Sequence, residues 1–250
     1  MPDQVLAGKV ALITGGARRV GAQVVRRLHA EGMNAAVHYH SSEDQAHALQ
    51  RELHEVRGDS ILLLRGNLLG GPKLLQNLVY EAVEAFGRLD VVINNASTFY
   101  PTAVTEATEK QWNDLIGTNL KTPFFLAQAA ADQLKTNHGC IVNIADIHGE
   151  RPLKGHPIYS VAKAGLIMLT RALARELAPE VRVNAVAPGA IMWPEDGPDE
   201  MAKHRIISRT ALKRAGDPDD IARTVLFLVR DASYITGQLL AVDGGRSIVL

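Results

Sequence analysis

The chain has 250 residues, a formal net charge of zero and 46% hydrophobic residues. That length buries a full core, and an alternating α/β pattern makes one domain over residues 1–250 the natural count. Interspersed charges of both signs offer no basic face for nucleic acid, and no apolar run approaches the ~20 residues of a membrane span.

The N-terminal Met1-Pro2-Asp3-Gln4 lacks the basic-then-apolar layout of a signal peptide. The lone Cys140 lies in the apolar run Cys140-Ile141-Val142 and reads as a small core residue rather than a redox group. A cytoplasmic, reducing setting is expected.

Residues 9–13 are a short β-rich run ending in Thr14-Gly15-Gly16-Ala17-Arg18-Arg19-Val20-Gly21. An amphipathic helix follows through Val24, Val25 and Leu28 to Gly32. Strand, glycine turn and helix make the opening βα unit of a dinucleotide fold. Gly15 permits the tight turn, and the helix N-terminus offers free N–H groups to a pyrophosphate. A glycine-rich connection without a ligand is the plainer alternative.

Residues 35–40 form a second strand. Where NAD-binding enzymes usually place a carboxylate against the ribose hydroxyls, this chain has His38-Tyr39-His40-Ser41-Ser42. A 2′-phosphate is therefore admissible, with the histidines and serines as donors and Arg18 or Arg19 within reach. NADPH is expected over NADH. A His38–His40 metal pair would share a strand face but brings no third ligand, so no metal is expected.

A third strand, residues 61–64, leads to Arg65-Gly66-Asn67-Leu68. The helix over 72–86 carries Leu74, Leu75, Leu78, Val79 and Val83 at helical spacing, a core stripe. A fourth strand, 89–93, runs into Asn94-Asn95-Ala96-Ser97-Thr98-Phe99-Tyr100, whose first small residues let a flat ring lie against the backbone. A long helical pattern over 111–135, interrupted by Pro123, contains Asn119. The fifth strand, 139–144, leads to Asp146, and the helix over 157–177 contains Tyr159 and Lys163. The sixth strand, 181–186, ends at Ala187-Pro188-Gly189. A polar, Pro-rich stretch over about 190–209, with Trp193, has the length of an active-site lid. Asp217-Pro218-Asp219-Asp220 caps a helix through Val229, and 238–242 is the last strand. The expectation is a single Rossmann-like, doubly wound parallel sheet of about seven strands with helices on both faces. Its ligand crevice lies at the carboxyl ends of the strands.

Tyr159 and Lys163 stand four residues apart, on one face of their helix. A neighbouring ammonium favours phenolate and lowers a pKa that starts near ~10, so the pair can move a proton near neutral pH. Alone, such a pair is weak evidence.

In order, Thr14-Gly15 with Gly21, Asn94-Asn95-Ala96, Asn119, Tyr159 with Lys163, and Pro188-Gly189 resemble the short-chain dehydrogenase/reductase family over nearly the whole chain. The resemblance implies hydride transfer from a nicotinamide cofactor and a homo-tetramer or dimer, the tetramer being expected. The implied cofactor residues are Gly15, Arg18, Arg19, Val20, Tyr39, His40, Ser41, Asn67, Leu68, Asn95, Ala96, Ser97, Tyr159, Lys163, Pro188 and Gly189. Tyr159 would be the proton donor, Lys163 would hold the nicotinamide ribose, and Asn119 would anchor a water of the relay.

Three departures narrow the resemblance. Arg19 stands where the family usually has glycine, Asp146 where it has serine, and Ser97 follows Ala96 where it has glycine. With His38-Tyr39-His40 and the stretch Ala96 to Thr102, these resemble the pteridine reductases. The likeness implies that Arg19 reaches cofactor phosphates and substrate, that Phe99 sandwiches a pterin against nicotinamide, and that Asp146 works with Tyr159. Ser97 and Trp193 complete the implied substrate contacts. Asn67 and Ser41 depart from that subfamily, where an aspartate and an arginine are usual, and Arg246 stands in the tail where some relatives reach a neighbouring subunit's site.

Chemistry supports the substitution at Asp146. Reducing a carbonyl builds negative charge on oxygen, which an ionised carboxylate repels. A pterin instead presents ring N–H and amino donors, and its reducible C=N needs a proton on nitrogen. The expected function is an NADPH-dependent pteridine reductase acting on a dihydropterin or dihydrofolate. The alternatives are a carbonyl reductase, such as a 3-oxoacyl carrier-protein reductase, and a non-catalytic NADP(H)-sensing protein. The plainer readings are a capping carboxylate for Asp146, an aromatic under a lid for Phe99 and a lid plug for Trp193.

Overall fold

Val10–Ile13 forms β1, and all four of its residues are buried. A strand buried on both faces belongs inside a parallel sheet covered by two helical layers. The computed structural model, which describes residues 6–191 and 199–249, has that arrangement. Seven parallel strands run in the order β3-β2-β1-β4-β5-β6-β7. The remaining strands are β2 (Asn34–Tyr39), β3 (Ile61–Arg65), β4 (Val91–Asn94), β5 (Cys140–Ile144), β6 (Arg182–Pro188) and β7 (Leu239–Val242).

Strand alternation decides which layer each residue meets. Ala11, Ile13, Val91 and Ile93 pack with Val24, Val25 and Leu28 of α1 (Arg19–Ala30) and Val225 and Leu228 of the later helix Pro218–Arg230. Val10, Leu12 and Val92 face Leu75 and Leu78 of the helix Pro72–Phe86 and Leu126 and Ala130 of the helix Thr122–Thr136. Cys140 is buried between strands, and burial pushes its thiol up to about 11, which keeps it inert.

The helices in order are α1, α2 (Glu43–Val56), α3 (Pro72–Phe86), α4 (Glu109–Ile116), α5 (Thr122–Thr136), α6 (Pro157–Glu176), α7 (Glu200–Ser208), α8 (Pro218–Arg230) and the short α9 (Arg246–Val249). The sequence reading passed over α2. Its buried residues are only Ala46, Leu49 and Leu53, spaced too thinly in a polar run to show as a stripe. Within the polar, Pro-rich stretch expected to form a lid over about 190–209 lies α7, started by Asp199, whose side chain accepts from Ala202 N.

Pro123 does not break the helical run. It sits in the first turn of α5, where its missing N–H is not needed. The interruption falls just before it, as a π-helical turn over Gly117–Lys121. Such a wide turn redirects side chains and is frequent at functional sites; here it turns Asn119 inward, to 1% exposure.

Candidate active site

The loops leaving the carboxyl ends of β1 to β6 surround a cleft of about 580 Å³. Gly15, Arg18, Arg19 and Val20 line it from the turn after β1, and Tyr39, His40 and Ser41 from the end of β2. Asn67 and Leu68 follow β3; Asn95, Ala96 and Ser97 follow β4. Asp146, Tyr159 and Lys163 line it from β5 and α6, Pro188 and Gly189 from β6. Asn119 and Phe99 are not part of this lining, and Trp193 lies outside the described residues. A larger groove of about 1230 Å³ between α3, α4 and α5 shares Leu68, Leu69 and Asp114 with the cleft but contains none of Asp146, Tyr159 and Lys163.

The glycine turn is held from beneath. Thr14 Oγ1 accepts from Asn95 N at 3.0 Å and Ala96 N at 3.1 Å. Asn95 Nδ2 donates to Thr14 O at 3.0 Å and Gly15 O at 2.9 Å. Asn95 thus spends its amide on the turn. A Cβ on Gly21 would stand 2.3 Å from Gly15 O, so only glycine lets α1 start this close. Arg18 precedes α1 without a side-chain cap, and Arg19, Val20 and Gly21 of its first turn line the cleft.

Arg19 has φ +54°, in the left-handed region. A glycine adopts that backbone without strain; an arginine there is strained. That is the backbone reason for the glycine expected at this position.

Tyr159 is 4% exposed, and its hydroxyl donates to Asp146 Oδ2 at 2.8 Å. Asp146 Oδ1 accepts from His148 N at 2.8 Å, capping the short 3₁₀ turn Ile147–Gly149. One carboxylate oxygen caps the turn and the other meets the Tyr159 hydroxyl. Lys163 is fully enclosed; its Nζ donates to Ile144 O at 2.9 Å and lies 5.7 Å from the Tyr159 ring centre.

The electrostatics correct the expectation for Tyr159. Burial and the Asp146 carboxylate hold its pKa well above the ordinary phenol value, with nearby Ser97 a smaller, opposing influence. Lys163, bonded to Ile144 O, does not reverse this. Burial instead lowers Lys163 to about 8, with Asp146 drawing it back up. Tyr159 therefore stands as a neutral phenol holding its proton, flanked by an acceptor.

Asn119 closes the other side. Its Nδ2 donates to Thr98 O at 3.0 Å and Leu115 O at 2.9 Å, and its Oδ1 accepts from Ser97 Oγ at 2.6 Å. These bonds tie the Asn119 amide to the loop after β4 and to α4.

Phe99 is 52% exposed and stacks on His156, with ring centres 4.6 Å apart and planes at 8°. It meets the Tyr159 ring edge-on at 4.8 Å. His156 was not singled out from sequence; its position just before Pro157, three residues from Tyr159, was the available signal. Tyr100 is turned away, donating to Asp114 Oδ2 at 2.8 Å. Arg246 lies close enough for its charge to act on Asp146, though burial lowers its own pKa more strongly.

His38 departs from expectation. It is 2% exposed, and both ring nitrogens are bonded to backbone, Nδ1 to Gly15 N and Nε2 to Gly66 O. Those two bonds, rather than a phosphate, take up its ring.

A family profile described as enoyl-(acyl carrier protein) reductase matches residues 15–247. The chain is 38% identical over 241 residues to the 3-oxoacyl-[acyl-carrier-protein] reductase FabG of Staphylococcus epidermidis, covering 95% of this chain and 98% of that one. It is 37% identical over 252 residues to the (2S)-[(R)-hydroxy(phenyl)methyl]succinyl-CoA dehydrogenase subunit BbsD of Thauera aromatica, covering 97% and 98%. It is 34% identical over 278 residues to pteridine reductase 1 of Leishmania tarentolae, covering 96% of each.

Proposed function

The chain belongs to the short-chain dehydrogenase/reductase family, and from that premise we propose that this oxidoreductase is an NADPH-dependent pteridine reductase. It takes the C=N bond of a dihydropterin or dihydrofolate to the tetrahydro form. The observation that carries this reading is the 2.8 Å hydrogen bond from Tyr159 to Asp146. A carboxylate touching the proton donor suits a substrate edge rich in N–H groups and opposes a developing oxyanion.

The cleft suits a dinucleotide on its own features. The first turn of α1, without a side-chain cap, lines it, and Arg18 and Arg19 stand there. At the end of β2 it meets His40, Ser41 and Ser42, and the Ser42 hydroxyl caps nothing on α2. Glu43 in the first turn of α2 is paired with Arg65 at 3.0 Å, which mutes its repulsion of a 2′-phosphate. Lys163 would hold the nicotinamide ribose. When bound, the reduced nicotinamide supplies the hydride.

The rest falls to the protein. The Tyr159 hydroxyl gives its proton to the ring nitrogen while the hydride goes to the adjacent carbon. Asp146 accepts from neighbouring N–H groups and sets the ring in plane. Phe99, backed by His156, offers an aromatic face, and Arg19 and Ser97 reach the same ring. By its length, the stretch over about 190–209 is proposed as the lid of this cleft. A homo-tetramer would cover Phe124, Val161 and Met168, which α5 and α6 expose.

The second reading, a 3-oxoacyl carrier-protein reductase, is favoured by the higher identity to FabG than to the pteridine reductase. Purified protein with NADPH, offered dihydrobiopterin, dihydrofolate and an acetoacetyl thioester, separates the two. Turnover of both ring substrates above the ketone is expected; turnover of the ketone alone sinks the pterin reading. Tight NADPH binding with no substrate reduced would point to a sensor.

A further inference from the structure

Two loops meet at His38 of β2. Its backbone C=O accepts from Gly16 N at 3.0 Å. Its ring Nδ1 accepts from Gly15 N at 3.3 Å, and its Nε2 bonds to Gly66 O at 3.0 Å. Gly66 is tied a second time, through its N–H to Tyr39 O at 3.0 Å. One residue thus binds two successive N–H groups of the turn after β1 and the carbonyl that opens the loop after β3.

These partners determine the ring's proton. Gly15 N can only donate and Gly66 O can only accept, so Nδ1 is bare and Nε2 carries the hydrogen. One neutral tautomer satisfies both bonds; a protonated ring would set Nδ1–H against Gly15 N–H. Burial agrees, lowering the imidazole to about 4, with the Gly66 bond and the charge of His40 as smaller influences.

The geometry also sorts the turn's donors. Gly15 and Gly16 point their N–H groups at His38, one at the ring and one at the backbone carbonyl, while further on Ala22 N bonds to Arg18 O at 3.3 Å. The loops that His38 joins carry Arg18 and Arg19 on one side and Asn67 and Leu68 on the other, all lining the cleft.

We propose that His38 is a positioning residue for the dinucleotide: its neutral imidazole locks the glycine turn to the loop after β3 and preorganises the adenosine-phosphate half of the cleft. This rests on the dinucleotide reading of the cleft and not on which substrate is reduced. Without the lock, each loop must be ordered by the ligand, and affinity falls by that cost.

The test is NADPH binding by fluorescence titration, alongside thermal melting, for the wild type and for His38→Phe, His38→Ala and His38→Asn. Phenylalanine keeps the bulk and removes both ring bonds; asparagine keeps an acceptor where Nδ1 stands. Kd should rise about tenfold or more in His38→Phe and His38→Ala, the loss of two modest hydrogen bonds. His38→Asn should recover part of it, and the steady-state loss should fall on KM for NADPH rather than on kcat. The ring ¹⁵N shifts of the wild type should report a neutral Nε2–H imidazole down to pH 5. Folded His38→Phe with Kd within twofold of wild type overturns the proposal, as do shifts of an imidazolium or of the other tautomer. Should the larger changes prevent folding, the His38→Asn affinity and the ring shifts still decide. A wild type that binds no NADPH defeats the dinucleotide reading instead, a separate result.

Discussion

Asp146 serves two partners with two oxygens: Oδ2 takes the Tyr159 hydroxyl hydrogen and Oδ1 takes the His148 N–H, both at 2.8 Å. A side chain with one oxygen cannot hold both in this geometry. The acid-base group and the loop carrying it are therefore coupled.

Asp146→Ser should shift preference from ring C=N substrates toward ketones, with kcat/KM for dihydrobiopterin falling about tenfold or more. Asp146→Asn keeps an oxygen for His148 N but turns an N–H₂ toward Tyr159, so it should lose pterin turnover with little loss of melting temperature. Parallel kcat/KM values on dihydrobiopterin and an acetoacetyl thioester check both. Unchanged pterin turnover in Asp146→Ser would reduce Asp146 to its capping role.

Tyr159→Phe keeps the ring that Phe99 meets edge-on and removes only the hydroxyl. The rate should fall on the order of 10²-fold or more, with Kd for NADPH nearly kept. Single-turnover rates with titrated binding check this. Full activity would mean another group delivers the proton.

Arg19 holds φ +54°. Replacing it with glycine should relieve ~1 kcal/mol of backbone strain and raise the melting temperature by ~2–4 °C, less whatever its side-chain contacts contribute. The same change should raise KM for NADPH and pterin severalfold. A melting temperature that rises while KM stays flat would show that the arginine is not used for binding.

Lys163 is lowered to about 8 from 10.5. In the free protein it keeps its charge at pH 7 and loses it as pH rises through about 8. If that charge is needed, kcat/KM should fall on an alkaline limb near pH 8, which reports the free enzyme. The stability effect has the opposite sign. Between pH 8 and 10.5 the unfolded chain binds more protons than the folded one, so this group's penalty is relieved as pH rises. A pH–rate profile and melts across pH 7–10 check the two; a flat profile to pH 9.5 would remove Lys163 from proton or cofactor duty.

Much of this was legible beforehand. The run of buried strands, the glycine turn and the helix over 72–86 show directly in hydrophobic spacing, because both faces of a parallel sheet must be apolar. The cleft was legible too, since α/β crevices form at the carboxyl ends of strands and the motif residues fall there. Helix α2 was missed because three buried residues do not make a visible stripe. His38 was misplaced because a polar residue at a strand end looks like a surface donor until its ring partners are known.

Composition, spacing and motif order by themselves determined the sheet, its order of elements, and a tyrosine-lysine pair at helical spacing, because these follow from local periodicity. Only the tertiary structure decided how the polar groups divide their bonds. It gave Asp146 one oxygen for Tyr159 and one for the loop, divided the Asn119 amide among Ser97, Thr98 and Leu115, and turned both nitrogens of His38 onto backbone from two loops. Those are contacts between residues distant in the chain, and their protonation depends on burial that no local pattern encodes. The same burial reversed the expected shift of Tyr159, making it a phenol that holds its proton beside a carboxylate.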